Sequence, residues 1–375
     1  MARPSPKGWC PGAYRPMQSG DGLIVRVRPR LARLSAEQST GLAEISMVFG
    51  NGTIDLTNRA NLQLRGVQPA GIDPVLKKLD DLGLLDKDEA TETRRNVLCA
   101  PDWESGNETH QLTTELLARL AELPTLPAKF GFAIDAGVAP VLSDASADIR
   151  IERGSSGGLI LRADGSPLGM PLAVHDAIDR LVALAKWFIG AGGTSRMAKL
   201  IGETPLPDWS RPSEPPAKPR KIPLPGLTEF GRYIGIAFGQ MDASALAELA
   251  KSSIRVTPWR LLLLESVDIP LPTGRMILHE DDALLRIDAC PGAPMCSAAS
   301  VQTRSVALGM KPPPGRSLHI SGCAKGCARA KPADVTLVGR SGRFDVVKHG
   351  SAWDMPVLQG LLPEEITGAL DALYL

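Results

Sequence analysis

The sequence contains no long hydrophobic run. None of its apolar stretches reaches the roughly 18 residues that a membrane-spanning helix requires. The first residues, MARPSPKGWCPG, also lack the hydrophobic core of a secretory signal. We therefore expect a cytoplasmic protein without membrane attachment.

A charge excess of either sign is also missing. Lys and Arg number 42 and Asp and Glu number 41, which gives a net charge of +1. Such a balance creates no overall field that would attract nucleic acid or a membrane surface. Any affinity for anions must come from local clusters of basic residues.

Two motifs of redox enzymes are absent. The stretch GAGGTS ends a predicted helix instead of opening one after a strand, so it does not match the dinucleotide-binding fingerprint. The five histidines are scattered, and none forms an i, i+4 pair that would indicate a triad of iron ligands. We expect reducing equivalents to come from a separate reductase or ferredoxin.

Length and composition indicate a globular protein of several units. The 375 residues, of which 43% are hydrophobic and 22% charged, are enough for two or three packed units. Proline is dense in residues 203–226, which we interpret as a stiff, extended linker between two halves.

A weak internal repeat lies on either side of this linker. Residues 11–70 and 227–284 both show a strand, a helix and a second strand, with Ser35 and Asp242 as equivalent N-cap candidates. The later strands align through the segments IDLT and IRVT, and the offset between the copies changes from 207 to 200. The pattern predicts a duplication with pseudo-two-fold symmetry. Chance similarity of short strand and helix patterns is the alternative.

A longer α/β segment follows each repeat. The first covers residues 71–202 and ends in a strongly amphipathic helix closed by glycines. The second covers residues 285–375 and carries most of the cysteines.

Four of the six cysteines form a cluster in the sequence. They are Cys290, Cys296, Cys323 and Cys327, spaced C-x5-C and C-x3-C. Disulfides are rare in the cytoplasm, and the first spacing is wider than that of zinc knuckles. The pattern favours an iron-sulfur cluster of the 4Fe-4S type, with structural zinc and uncoordinated thiols as alternatives. We expect Cys10 and Cys99 to be buried or incidental.

Arginines line one face of each strand in the first repeat. Arg26, Arg28 and Arg30 alternate with valines and a proline in the first strand, and Arg59 and Arg65 share a face of the second. The next segment adds further basic residues, namely Arg94, Arg95 and Lys129. The pattern predicts an anion-binding platform, and a solvated polar sheet face is the alternative.

The motifs TNRANLQLRG, RRNVLC, LPAKFGFAID, C-x5-C and SGCxxGC, in that order, resemble the sirohaem-dependent sulfite and nitrite reductase superfamily. The resemblance implies an α+β fold of two ferredoxin-like half-repeats, related by pseudo-two-fold symmetry, and two nitrite/sulfite-reductase-like α/β domains. It also implies that the four clustered cysteines hold a 4Fe-4S cluster. The residues implied to line the substrate-facing pocket are Arg59, Arg95 and Lys129.

Two departures from that superfamily are informative. Sulfite reductases have two pocket lysines separated by one residue, whereas Lys129 is followed by Phe130 and Gly131. The reductases usually have asparagine between the last two cysteines, where this chain has Lys325.

The segments GWCPGAYRPMQSGDGLIVRVRP and HISGCAKGCARA are more similar to the precorrin-3B synthase family. This resemblance implies an oxygen-dependent monooxygenase of cobalamin biosynthesis that hydroxylates precorrin-3A at C20 and closes a γ-lactone. It implies a mononuclear non-haem iron beside the 4Fe-4S cluster. The residues expected to meet substrate carboxylates are Arg26, Arg28, Arg65, Arg94, Arg196, Lys199 and Lys325.

Two other functions stay open at this point. A small sulfite or nitrite reductase would hold sirohaem as a cofactor instead of acting on a tetrapyrrole. A zinc-stabilised binding protein would use the four cysteines for structure alone.

Overall fold

A computed structural model describes residues 10–272, 276–366 and 374 of the chain. The first half-repeat contains β1 (Met17–Ser19), β2 (Gly22–Val27), β3 (Arg33–Leu34), α1 (Ala36–Phe49), β4 (Thr53–Leu56) and β5 (Leu62–Val67). The segment after it contains α2 (Ile72–Asp81), α3 (Glu89–Arg94), β6 (Val97–Cys99), α4 (Glu108–Ala118), β7 (Phe132–Asp135), β8 (Ile149–Arg153), β9 (Leu159–Ala163), β10 (Met170–Leu172), α5 (Ala177–Gly190) and α6 (Met197–Ile201).

The second half of the chain repeats this layout. Its half-repeat contains β11 (Gly226–Thr228), β12 (Gly231–Ile236), β13 (Gln240–Asp242), α7 (Ala243–Leu249), β14 (Ile254–Val256), β15 (Leu261–Leu264) and β16 (Met276–Ile277). The last unit contains β17 (Ile287–Ala289), α8 (Arg304–Leu308), β18 (Leu318–Ser321), β19 (Ala333–Arg340), β20 (Arg343–Gly350) and β21 (Leu358–Leu361). No helix within the described ranges is long and apolar enough to cross a membrane.

The two half-repeats exchange edge strands. The first sheet has the order β1-β2-β5-β4-β13, so its last strand comes from the second repeat. The second sheet has the order β11-β12-β15-β14-β3 and ends with a strand of the first repeat. Both exchanged strands pair antiparallel with their hosts, β13 with β4 and β3 with β14. This reciprocal pairing satisfies the backbone groups at one edge of each sheet.

Backbone details confirm the pseudo-two-fold relation. Thr57 and Thr257 each accept backbone N–H bonds through the side-chain hydroxyl in the turn after the equivalent strand. Leu31 and Phe238 both adopt left-handed φ angles, 54° and 58°. Thr57 and Thr257 are 200 residues apart, and Leu31 and Phe238 are 207 residues apart. These are the two offsets inferred from the sequence.

The helix that follows each exchanged strand begins at the expected residue. Ser35 caps α1 and forms a reciprocal capping box with Gln38, an arrangement that contributes about 1 kcal/mol. Asp242 occupies the N-cap of α7, but its side chain makes no capping hydrogen bond. The two caps are therefore equivalent in position and different in chemistry.

The two α/β units also share one topology. Their sheets have the orders β6-β7-β8-β9-β10 and β17-β18-β19-β20-β21, with parallel pairing over the first three strands and antiparallel pairing over the rest. Ala100 and Pro101 follow β6 as Cys290 and Pro291 follow β17. We did not predict this second duplication from the sequence, because the loops between the strands differ in length and composition.

The proline-rich segment 203–226 lies along the first α/β unit. Isolated bridges join Gly154 to Pro216 and Gly169 to Glu214. The segment is extended, as expected, but it is fixed by backbone hydrogen bonds instead of being free between the halves. The unit boundaries inferred from composition stay predictions.

An ion-pair group reinforces one of the strand exchanges. Arg33, in β3, forms two hydrogen bonds of 2.8 Å with Glu265, which follows β15 of the other repeat. Arg255, in β14, donates to the same carboxylate at 2.7 Å. The hydrogen bonds from Arg33, and then those from Arg255, hold the pKa of Glu265 below its ordinary value although burial opposes them.

We expect Glu265→Gln to lower stability by about 2 kcal/mol at pH 7, because two guanidinium groups lose their anionic partner. Because the pKa of Glu265 is lower in the folded state, its negative charge stabilises the fold at pH values above the ordinary pKa of 4.5. This stabilisation is lost as the pH falls through the lowered folded-state pKa. The stability gap between wild type and variant should therefore narrow below about pH 4. Thermal unfolding across pH measures this gap. Glu248→Gln, at an exposed site on α7, is the control, and a gap that does not depend on pH would contradict the assignment.

Candidate functional site

The clustered cysteines follow two adjacent parallel strands. Cys290 comes directly after β17, and Cys323 and Cys327 lie in the loop after β18. The strands pair in register, with Ala289 opposite Ile320. Because the carboxyl ends of neighbouring parallel strands meet at one edge of a sheet, both loops lie at the same edge.

The thiol groups lie within electrostatic range of one another. Burial raises the pKa of Cys327, and repulsion from Cys290, Cys323 and Cys296 raises it further, while Lys325 acts in the opposite direction. A bound cation would reverse this effect, because thiolates are the form that binds metal. The four side chains that the sequence pattern singled out are therefore brought together by the fold.

A backbone amide also faces one of the sulfur atoms. Gly322 N–H donates to Cys290 Sγ at 3.1 Å. A Cβ at Gly322 would lie 2.6 Å from the side chain of Ala299, and one at Gly292, where φ is 70°, would lie 2.6 Å from the hydroxyl of Thr303. Glycine is thus required at both positions, and the close backbone supplies the amide–sulfur contacts that tune a cluster.

The donor set fits a 4Fe-4S cluster. Within the described ranges, no three His, Cys, Asp or Glu side chains converge as ligands of a single metal ion. A cluster takes one thiolate for each of its irons, so its ligands are spread more widely than those around one zinc ion. Four thiols with an amide directed at one of them meet that requirement, and the ligand assignment itself stays a prediction.

A mononuclear iron finds no such set of ligands. His175 is exposed, and His319 is completely buried in β18 with no hydrogen-bond partner at either ring nitrogen. Burial lowers the pKa of His319 to about 4, so its ring is neutral at physiological pH. The described residues thus do not fit the non-haem iron that the resemblance implied, and we derive no step through it.

Several of the predicted pocket arginines already have carboxylate partners. The pairs are Arg28 with Glu92 at 2.8 Å, Arg65 with Asp21 at 2.8 Å and Asp55 at 3.0 Å, Arg95 with Asp86 at 2.8 Å, and Arg196 with Asp148 at 2.8 Å. Arg95 also donates to the carbonyl of Arg28 at 2.7 Å. The positive charges of the buried arginines Arg65 and Arg95 are therefore neutralised inside the fold.

A second group of cations is left without such neutralisation. Among the described residues, no carboxylate lies within salt-bridge distance of Arg26, Arg59 or Lys129. Arg59 Nη2 donates to the carbonyl of Lys129 at 2.9 Å and to Ser146 Oγ at 3.2 Å. The same hydroxyl accepts from Arg196 at 3.2 Å. Two guanidinium groups thus share one neutral oxygen.

This arrangement is electrostatically favourable for an anion. Burial lowers the pKa of Arg59, and the positive charge of Arg196 lowers it further. A carboxylate placed between the two groups would relieve their repulsion and accept charge-assisted hydrogen bonds. We call Arg26, Arg59, Arg196 and Lys129 the basic pocket; of these four residues, Arg196 has a carboxylate partner, Asp148.

Cys10 lies beside this pocket, which the sequence did not indicate. Its sulfur is hydrogen-bonded to Arg26 and lies near Arg59. The motif GWCPG was a family signal, but nothing in its local pattern showed which side chains it would meet.

The remaining predicted carboxylate-binding residues are dispersed. Arg94 is half-buried in the last turn of α3, Lys199 is exposed on α6, and Lys325 is half-buried between two of the cluster cysteines. Their roles stay predictions.

Comparison with known proteins gives the family. The model of the nitrite/sulfite reductase ferredoxin-like half domain matches residues 15–82. A precorrin-3B synthase from Sinorhizobium sp is 30% identical over 391 aligned positions, which cover 93% of this chain and 84% of that protein. The chain belongs to the precorrin-3B synthase family. The resemblance read from the motifs is thereby confirmed.

More distant relatives place this family member within its superfamily. A ferredoxin–nitrite reductase from Synechococcus elongatus is 23% identical, with 90% of this chain and 80% of that protein covered. The solved structure of the Mycobacterium tuberculosis NirA protein has a TM-score of 0.66 at 20% identity and covers 93% of this chain and 79% of that one. The predicted fold class is confirmed, and the chain is an oxidoreductase of the nitrite and sulfite reductase superfamily.

We expect Ser in place of Cys290, Cys296, Cys323 or Cys327 to abolish stable cluster binding, because each thiolate would hold one iron. Wild-type protein made without oxygen should contain about four irons and four acid-labile sulfides per chain. Cys99→Ala is the matched control, since Cys99 is buried and lies in the other α/β unit. Equal iron content in all five variants and wild type would contradict the ligand assignment.

Proposed function

We propose that this family member is the monooxygenase of aerobic cobalamin biosynthesis that converts precorrin-3A to precorrin-3B. The reaction hydroxylates C20 and closes a γ-lactone with a ring acetate. One atom of O2 enters the substrate and the other leaves as water, with two electrons and two protons. The 30% identity to a precorrin-3B synthase over nearly the whole chain supports this proposal.

The observation that carries the proposal in this chain is the basic pocket. Precorrin-3A is a polycarboxylate. Arg59 and Arg196 share the hydroxyl of Ser146, and of the two only Arg196 has a carboxylate partner, Asp148, in the part of the chain that the structure describes. Substrate carboxylates would complete this arrangement and orient the macrocycle. Arg59 also donates to the carbonyl of Lys129 and so holds the loop that carries this lysine.

The four cluster cysteines would hold a 4Fe-4S centre, which supplies one-electron transfer when it is bound. Cys327 is exposed whereas Cys290 is buried, so electrons from a reductase or ferredoxin could enter at the Cys327 side. We place the reaction in the cytoplasm, where such donors are available.

The direct test is an anaerobic incubation of cluster-containing protein with precorrin-3A and a reductant, followed by addition of O2. The expected product is heavier than the substrate by one oxygen atom and carries one label when 18O2 is used. Absence of this product while the cluster remains intact would refute the proposed function.

A sirohaem-dependent reductase is the second candidate. The similarity to ferredoxin–nitrite reductase and the presence of Arg59 and Lys129 favour it. The visible spectrum separates the two functions, because only this alternative predicts a bound sirohaem band in fully loaded protein.

Zinc at one ion per chain, with neither iron nor sulfide, would instead indicate the non-enzymatic binding protein.

We expect Arg59→Gln to weaken binding of a carboxylated tetrapyrrole by about 10- to 100-fold, because one charge-assisted contact of roughly 1.5–3 kcal/mol is lost. Equilibrium binding of precorrin-3A without O2 measures the effect. Arg211→Gln, at an exposed position of the proline-rich segment, is the control. Equal loss in both variants would show that the basic pocket makes no specific contact.

A further inference from the structure

We infer that Arg65 is a positioning residue for the loop that carries Cys296, and not a ligand of the substrate. This inference rests on the proposed cluster. The Cys296 loop comprises residues 291–303, between Cys290 and helix α8. Arg65 lies on β5 of the first half-repeat, more than 200 positions away in the chain.

The carbonyl oxygen next to Cys296 is the contact point. Met295 O accepts hydrogen bonds from Arg65 Nη2 at 3.2 Å, from Ser19 Oγ at 2.8 Å and from Gly20 N–H at 3.2 Å. A Cβ at Gly20 would lie 2.5 Å from the carbonyl oxygen of Pro294. The turn between β1 and β2 is thus packed directly against the loop, and three donors fix the peptide that precedes the cysteine.

The guanidinium group is itself held rigidly. Asp21 accepts from Arg65 Nε at 2.9 Å and from Nη2 at 2.8 Å, and Asp55 accepts from Nη1 at 3.0 Å. The side chain of Arg65 is only 3% exposed. Burial by itself would lower the pKa of Arg65, but the two carboxylates raise it above its ordinary value, so the group stays charged. The second hydrogen on Nη2 is shared between Met295 O at 3.2 Å and Ser19 Oγ at 3.1 Å, and the planar guanidinium with fixed partners keeps it directed at these two oxygens.

The other end of the Cys296 loop is held through the carboxylate of Asp55, which also pairs with Arg65. The second oxygen of Asp55 accepts from Arg304 Nη1 at 3.1 Å. Arg304 follows Thr303, whose hydroxyl donates to the carbonyl of Cys290. Asp55 therefore contacts Arg65, which donates to the carbonyl before Cys296, and Arg304, whose neighbour Thr303 donates to the carbonyl of Cys290.

The second half-repeat contains an equivalent ion pair in which the acidic and basic residues have exchanged positions. Arg255 and Glu265 occupy the positions of Asp55 and Arg65, 200 residues later, and pair at 2.7 Å. Arg255 donates to the carbonyls of Pro101 and Trp103, in the loop that follows β6. This loop takes the place of the Cys296 loop in the first α/β unit, but it contains no cysteine. Arg255 is therefore a matched control.

The test compares Arg65→Gln with Arg255→Gln, each made anaerobically as the full chain. The readouts are the rate at which iron passes to a chelator and the electron paramagnetic resonance spectrum of the reduced protein. We expect Arg65→Gln to lose iron about 10-fold faster than wild type and to change the spectrum, because groups that orient metal ligands have effects of this size. Arg255→Gln should stay within about twofold of wild type.

Two further variants separate positioning from general destabilisation. Arg65→Lys keeps the positive charge but loses the planar guanidinium group. Its rate of iron loss should therefore lie between those of wild type and Arg65→Gln. Ser19→Ala removes the hydroxyl that donates to Met295 O and accepts from Arg65 Nη2, without removing a charge, and it tests the contact if Arg65→Gln does not fold. We expect it to lose iron about two- to fivefold faster than wild type.

The possible failures are distinguishable. Equal rates and unchanged spectra for the Arg65 and Arg255 variants, or wild-type behaviour of Ser19→Ala, would overturn the inference while leaving the cluster in place. Wild-type protein that contains no iron and sulfide would overturn the cluster itself and the inference with it.

Discussion

Reciprocal exchange of edge strands is the constraint on which the architecture depends. Neither half-repeat can complete its own sheet, because β3 pairs in the second sheet and β13 in the first. Since both sheets bury their apolar faces in one shared core, the repeats fold as a pair. The α/β units are attached to this pair, and the loops that bear functional residues meet where the units and half-repeats adjoin.

The two halves share one architecture, but only the second carries the four-cysteine cluster. The ion pair at positions 55 and 65 has become a pair of opposite polarity at positions 255 and 265. In each half the pair holds a loop of an α/β unit through backbone carbonyls. Both halves contain such a loop-holding pair, while the four clustered thiols are present in only one.

The basic residues of the first half of the chain serve two purposes that look identical in the sequence. Arg65 and Arg95 are neutralised by Asp21, Asp55 and Asp86 and hold the structure together. Fewer residues of the basic pocket have a carboxylate partner, so the pocket stays available to an anion. A buried charge with a partner stabilises a fixed geometry, whereas one without a partner costs free energy until a ligand arrives.

The sequence by itself determined the elements with local causes. The alternation of Val25 and Arg26, the N-cap at Ser35 and the spacing of the cysteine motifs depend on neighbours a few residues apart, so they could be predicted. Tertiary structure alone decided which cations are neutralised, that Cys10 meets Arg26, and that the two α/β units share a topology. The partners of a charge are set by packing between distant segments, since Arg65 and Asp21 lie 44 positions apart. No local pattern records such a pairing.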